Sequence, residues 1–436
     1  MNNTSVRDNF PIFSHYAPGG YEGQAKGSKQ PLPFSVAKAM ENRLVYLDNA
    51  ASTHKPDSVI DIISIFYSTS YATVHRALYD MGEQATTQYE QVRTKVQAFI
   101  HAAQPEEIIF TKGTTESINF IAQSWALQHL KAGDQIVLTQ AEHHANLLPW
   151  QRIAIQTGAE LVFIPVDPKT FQLINPENYI SQKTKLVAVA HSSNVLGSLW
   201  QFGQLESLIT KAHAVGAKVL IDAAQSIAHQ HIDVEKLNAD FLAFSAHKMF
   251  GPTGVGVLYI KKELHDDVQP YQLGGSMVYE VTFDQASWAK APQKFEAGTP
   301  PIAAIMGLGA AIDFITQHIK FDQLKEFEAK LCKQLLDGLN AIPGIVIAGD
   351  QQTIARQGHI VSFAVPALHP HDIASHLGSK NIAIRAGHHC AQPLVTHLGF
   401  QSLLRVSVAA YTTPQDIDIF LFELKNTLTF LTKHVT

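Results

Sequence analysis

Apolar residues in this chain fall into short continuous runs separated by amphipathic stretches, and this alternation predicts the elements. A run at Val45-Tyr46-Leu47 opens the regular part. Helical spacing follows over 58–68, with Val59, Ile62, Ile63 and Phe66 on one face, and again from about 82 to 100. Strands are predicted at 108–110, 135–138, 161–164, 185–190, 218–221, 241–244 and 255–260. Helices are predicted between several of them, over 115–130, 146–157 and 203–215. Near-continuous apolar strands alternating with helices imply an α/β fold, a mostly parallel sheet covered by helices. Residues 307–340 read as one or two long helices, and 345–436 as α+β. Residues 1–42 look irregular, with a Gly/Pro-rich stretch over 17–33. The expected organisation is an N-terminal arm (1–42), a large domain (43–305) and a smaller α+β C-terminal domain (306–436). No internal repeat is visible.

Composition narrows the class. A chain of 436 residues suggests two domains. Only 16% of residues are charged, against 46% hydrophobic, which implies much buried surface of the kind an oligomer provides. The net charge of -5 without a basic cluster argues against a nucleic-acid partner. Two cysteines far apart, Cys332 and Cys390, do not make a disulfide framework. No apolar stretch approaches the roughly 20 residues of a membrane span. The N-terminus lacks a basic-then-apolar leader pattern, so cytoplasm is the expected compartment.

The chemistry gathers at strand ends. The run 218–221 ends in Asp222 and continues Ala223-Ala224-Gln225; the run 241–244 leads into Ser245-Ala246-His247-Lys248. A lone Lys after a strand is usually solvated, and a lone Asp there is usually a cap or turn residue. Together they suit pyridoxal phosphate, which needs an amine to hold it and an acid for its ring nitrogen. Open α/β sheets bind ligands at the carboxyl ends of their strands. There, Thr111-Lys112-Gly113-Thr114-Thr115-Glu116 joins a strand to a helix start, where free amides favour phosphate. The loop Glu142-His143-His144-Ala145-Asn146 offers an imidazole for stacking or proton transfer. A metal at this histidine pair is not expected, because His388-His389-Cys390 is distant in sequence and no acidic partner is obvious. Asn194 follows another strand and can donate a hydrogen bond.

Asp222-x-x-Gln225, Ser245-x-His247-Lys248, Gly113-Thr114-Thr115-Glu116 and Arg385-Ala386-Gly387-His388-His389-Cys390-Ala391 resemble the cysteine desulfurases. These belong to the class V aminotransferase group of fold-type I pyridoxal-phosphate enzymes. The last motif is similar to the SUF-type (group II) branch and its selenocysteine-lyase relatives. The resemblance covers nearly everything from Val45 onward. It implies that Lys248 holds the cofactor covalently and later moves protons. Asp222 would face the pyridine nitrogen, Gln225 the phenolic oxygen, and His143 would stack on the ring. Thr114, Thr115, Ser245 and His247 would hold the phosphate, and Thr299 would reach the phosphate of a second copy in a homodimer. Arg405, with Asn194 and Arg385, would bind the substrate.

The resemblance makes Cys390 the nucleophile that takes sulfur from L-cysteine, leaving alanine and a persulfide for a SUF-type acceptor protein of iron–sulfur cluster assembly. The thiolate is the reactive form, and Arg385, His388 and His389 offer positive or basic neighbours. Cys332 reads as an inert core thiol in a helical pattern. Selenocysteine lyase and another class V activity are the alternatives. Two departures from the family pattern stand out. Phe10-Pro11-Ile12 is separated from Tyr46 by the Gly/Pro-rich insertion, and Tyr79 replaces the second His of a His-Arg-Gly-Ile-His motif.

Overall fold

The computed structural model describes residues 6–15, 43–201 and 203–434. They form two compact units. The larger comprises Ser58–Ser193 and Leu199–Gln317; the smaller gathers the described residues up to Asp57, the segment Asn194–Ser198, and those from His318 onward. In chain order the strands are β1 (Val45–Tyr46), β2 (Ile108–Thr111), β3 (Gln135–Thr139), β4 (Glu160–Ile164), β5 (Thr184–Ala190), β6 (Lys218–Asp222), β7 (Phe241–Ser245), β8 (Gly256–Ile260), β9 (Val278–Val281), β10 (Ala286–Trp288), β11 (Val346–Ala348), β12 (Ile360–Ala364), β13 (Ile382–Ala383), β14 (Arg385–Gly387) and β15 (Leu403–Ser407).

The large unit is built on a seven-stranded sheet of order β2-β8-β7-β6-β5-β3-β4. Strands β4, β3, β5, β6 and β7 run parallel, as the apolar runs predict. Strand β8 is antiparallel to both β7 and β2. The 246–255 connection explains the reversal, since a parallel return needs a crossover of about a dozen residues or more. Every residue of β7 and β8 is buried, and β5 and β6 are nearly so. Phe241, Leu220, Ala188 and Leu138 meet Trp125 and Trp150 in the core.

Several helices match their expected spans closely. The helix expected over 58–68 runs Asp57–Ile65 and passes into a π-helical turn, Phe66–Ser70. The one expected over 115–130 starts at Thr114 and includes a π-helical turn, Ala122–Ala126. The long helical region is two helices, Ile302–His318 and Phe321–Asn340. No single helix among the described residues is long and apolar enough to cross a membrane.

The small unit holds an antiparallel sheet of order β11-β12-β15-β14, and β1 pairs in parallel with β13. Val45 and Leu47 share a core with Leu335, Phe363, Val406 and Phe420. Part of the arm expected to be irregular is regular: Pro11–His15 is a helix. Arg7 Nη1 donates to Asp416 Oδ2 at 2.8 Å and to the Tyr411 carbonyl at 2.9 Å. The buried Phe10 ring lies 4.6 Å from that of Tyr411. One short turn carries too few apolar positions to show a helical period, which hid it. The Gly/Pro-rich stretch over 17–33 lies outside the described residues.

Candidate active site

In the large unit, the expected cofactor residues come from neighbouring strand ends. Asp222 ends β6, in register with Ala190 on β5 and Ala243 on β7. Its Oδ1 accepts from the Ala224 N–H at 2.9 Å, so the turn after the strand fixes the carboxylate. Burial pushes Asp222 above the usual carboxylate range, against the Ala224 N–H and the charge of Lys248, which lower it. Lys248 lies in the 3-10 turn Ala246–Lys248 that follows β7, with His247 before it. Gln225 is buried beyond Asp222.

Ser245 and Thr114 meet. The Thr114 N–H donates to Ser245 Oγ at 2.8 Å, and the two hydroxyl oxygens lie 2.8 Å apart. Gly113 precedes them with φ +154°. A Cβ on Gly256 would fall 2.4 Å from the Gly113 Cα, so this close crossing of backbones requires glycine. Thr115 is exposed on the same helix start. Thr299 is exposed and lines a cavity of about 110 Å³ with Lys112 and Glu296.

His143 caps the turn His144–Asn146: its Nδ1 accepts from the Ala145 N–H at 3.0 Å. In the neutral ring, that contact leaves the proton on Nε2. Glu142, next to it, had no role in the sequence reading. Its carboxylate accepts from Thr139 Oγ1 (2.6 Å), Asn146 Nδ2 (2.7 Å) and the Ala190 N–H (3.1 Å). Trp150 Nε1 donates to Asn146 Oδ1 at 2.9 Å and extends the network into the core. Burial pushes Glu142 up to about 7, the three donors pull it down, and Asp222 adds to the rise. Glu142 thus ties the His143 turn to the ends of β3 and β5. An acid next to the paired histidines was the only signal for it.

The small unit carries the residues expected to bind substrate and to take sulfur. Arg405, on β15, is buried and stands opposite Ser362 on β12 and Arg385 on β14. Its Nη1 donates to the Asn194 carbonyl at 2.9 Å and its Nη2 to Asp48 Oδ1 at 3.0 Å. Burial lowers Arg405, Asp48 raises it most, and the nearby Arg385 and Cys390 charges act in opposite directions. Asn194 belongs to this unit, and its side-chain amide donates to the His389 carbonyl. Cys390 is exposed. Both His389 (φ 54°) and Cys390 (φ 57°) are left-handed, which is strained for residues with a Cβ. Burial, then Arg405 and Arg385, push His389 down to about 3. His389 is therefore neutral near pH 7, and the fixed positive charge around the thiol comes from the arginines. Cys332 is buried in its helix, where burial first and Glu328 second push its thiol up.

A sheet with this order, an Asp and a Lys at adjacent strand ends, and a hydroxyl-lined helix start define a pyridoxal-phosphate enzyme fold. The chain belongs to the aminotransferase class-V family, whose model matches residues 45–420. It is 44% identical over 400 residues to a probable cysteine desulfurase of Halalkalibacterium halodurans, covering 92% of this chain and 97% of that protein. It is 42% identical over 377 residues to a cysteine desulfurase of Escherichia coli, covering 86% and 91%. Among solved structures, the cysteine desulfurase CsdA of Escherichia coli matches with a TM-score of 0.85 and 35% identity, covering 99% of both chains.

The residues fit pyridoxal phosphate. The Gly113–Gly256 crossing keeps the helix start clear of side chains, and Thr114 and Ser245 offer hydroxyls where a phosphate would lie. The buried Asp222 would face a ring nitrogen, and Lys248 would supply the amine.

Proposed function

We propose that the protein is a pyridoxal-phosphate-dependent L-cysteine desulfurase, which yields L-alanine and a persulfide on Cys390. The pairing of buried Asp222 with the Lys248 charge at adjacent strand ends supports this most directly. Bound pyridoxal phosphate supplies an electron sink for the pair released at the substrate α-carbon. Lys248 anchors the cofactor and then carries a proton on Nζ. Asp222, raised by burial, is held as a carboxylate only by a positive neighbour, and would pair with a protonated ring nitrogen. His143, with its proton on Nε2, is a proton donor from the neighbouring turn His144–Asn146. Arg405 and Asn194 bind the substrate carboxylate, and Arg385 adds positive charge. The Cys390 thiolate attacks the substrate sulfur. A sulfur–sulfur bond forms and the substrate carbon–sulfur bond breaks. Its electron pair stays with the carbon fragment, which is protonated to alanine, while the terminal sulfur keeps its proton.

The same reading includes a homodimer in which Thr299 serves the other copy's phosphate. The exposed apolar side chains Leu78, Leu273, Tyr279 and Phe283 support a partner on the large unit. It also includes a SUF-type acceptor protein for the persulfide sulfur and a cytoplasmic setting. The test is alanine and sulfide release from L-cysteine, with a reductant or an acceptor present. A protein with bound cofactor that releases neither would overturn the reading.

A further inference from the structure

Arg405 is held before any substrate arrives. A guanidinium has five N–H donors in a rigid fork. One Nη1 donor goes to the Asn194 carbonyl and one Nη2 donor to Asp48 Oδ1. Nε is buried with no hydrogen-bond partner among the described residues, and so is Asn194 Oδ1. The contact with Asp48 is therefore single rather than forked, and donors remain for a second carboxylate.

The loop carrying Asp48 is stitched to the strand carrying Arg405. Asp48 forms a parallel bridge with Ser407, two residues beyond Arg405 on β15. The Ser407 N–H donates to the Leu47 carbonyl at 2.8 Å. Asn49 Nδ2 donates to the Ser407 carbonyl at 2.7 Å, and the Ala50 N–H to Ser407 Oγ at 2.9 Å. The Tyr411 hydroxyl donates to Asn49 Oδ1. These contacts bracket Asp48 on both sides, so its backbone is fixed beside the strand that carries the guanidinium. With Arg385 beside it, one net positive charge remains on the three side chains.

We infer that Asp48 is a positioning residue. It pins one edge of the Arg405 fork so that the remaining N–H groups are aimed in advance at the α-carboxylate of an amino-acid substrate. The inference rests on the reading of Arg405 as the carboxylate clamp. Preorganisation of this kind acts on binding more than on the chemical step.

The experiment uses the holoenzyme and two readouts: KM and kcat for L-cysteine, and the affinity for L-alanine from the change in cofactor absorbance. Asp48→Ala should raise KM and the alanine Kd together by about tenfold, with kcat at saturation changed less than about threefold. Asp48→Asn keeps an acceptor oxygen for Nη2, and its rise should be smaller, about threefold. Should Asp48→Ala fail to fold, Asp48→Glu, which pushes the carboxylate against the fork, should still raise KM. Arg405→Ala is the control for the underlying reading and should raise KM by about a hundredfold or more. If Arg405→Ala is crippled while Asp48→Ala and Asp48→Glu bind alanine as the wild type does, the role of Asp48 is overturned. Equal losses in Asp48→Ala and Asp48→Asn would overturn it too. If Arg405→Ala binds normally, the clamp reading is what fails.

Discussion

The residues assigned to the cofactor and those assigned to sulfur are built in opposite ways. In the large unit, Asp222, Ser245 and Lys248 sit on or just after buried strands, and backbone or hydroxyl contacts fix the first two. In the small unit, Cys390 sits exposed on a loop of two consecutive left-handed residues beyond the end of β14. Electrostatic control of a cofactor needs groups that do not move, and strand ends provide them. A thiol that must take sulfur and hand it on needs access instead, and loops provide that. Arg405 follows the first pattern inside the second unit: it is buried on a strand.

The largest effect should come from Lys248→Ala. It should lose the visible cofactor band and cut alanine release by about a thousandfold or more. Normal turnover would end the comparison, because the strand-end amine would then do nothing. Cys390→Ser should lower sulfur release by about a hundredfold yet keep the cofactor band unchanged, since no cofactor contact is assigned to it. Mass spectrometry after cysteine treatment should place extra sulfur on the Cys390 peptide and not on that of buried Cys332. A label on Cys332 would refute the contrast in exposure.

Gly256→Ala tests the rigid half by geometry. The added Cβ meets the Gly113 backbone at 2.4 Å, so the helix start assigned to the phosphate must shift. Overpacking of about 1–3 kcal/mol corresponds to a loss of cofactor affinity of roughly fivefold to a hundredfold or more. Wild-type affinity in a cofactor titration would show that the cradle tolerates what its geometry forbids.

The last effect is one of stability rather than activity, and the two halves share it. Burial pushes His54 and His191 down to about 4, and His229 and His389 to about 3. Each is held neutral in the fold while the unfolded chain protonates near pH 6.5. The unfolded state therefore binds more protons below that pH. Stability should fall as pH drops from about 6.5 towards 4, by up to about 1.4 kcal/mol per pH unit for each histidine. Melting temperatures that stay flat between pH 7 and 5 would contradict this.

Much of this was legible in the sequence because it is local. Apolar runs marked the strands, and residues at run ends marked Asp222, Lys248 and the Thr114 turn. Contacts between distant segments were not legible. Asp48 and Arg405 lie 357 positions apart, so neither announces the other. Glu142 acquires its meaning only from the register of β3 against β5. Asn194 follows a large-unit strand in sequence but packs with the small unit. The reversal of β8 depended on a connection length that strand content alone does not reveal.

Order of synthesis gives the mixed ancestry of the small unit a practical meaning. Val45 and Tyr46 find their pairing partners only at Ile382 and Ala383, and Arg7 finds its own at Asp416. At about 5–20 residues per second, a ribosome needs tens of seconds to make that intervening chain. Throughout that interval Phe10, Val45 and Leu47 have no core to enter. This apolar segment is thus made early relative to its partners and housed only when they arrive.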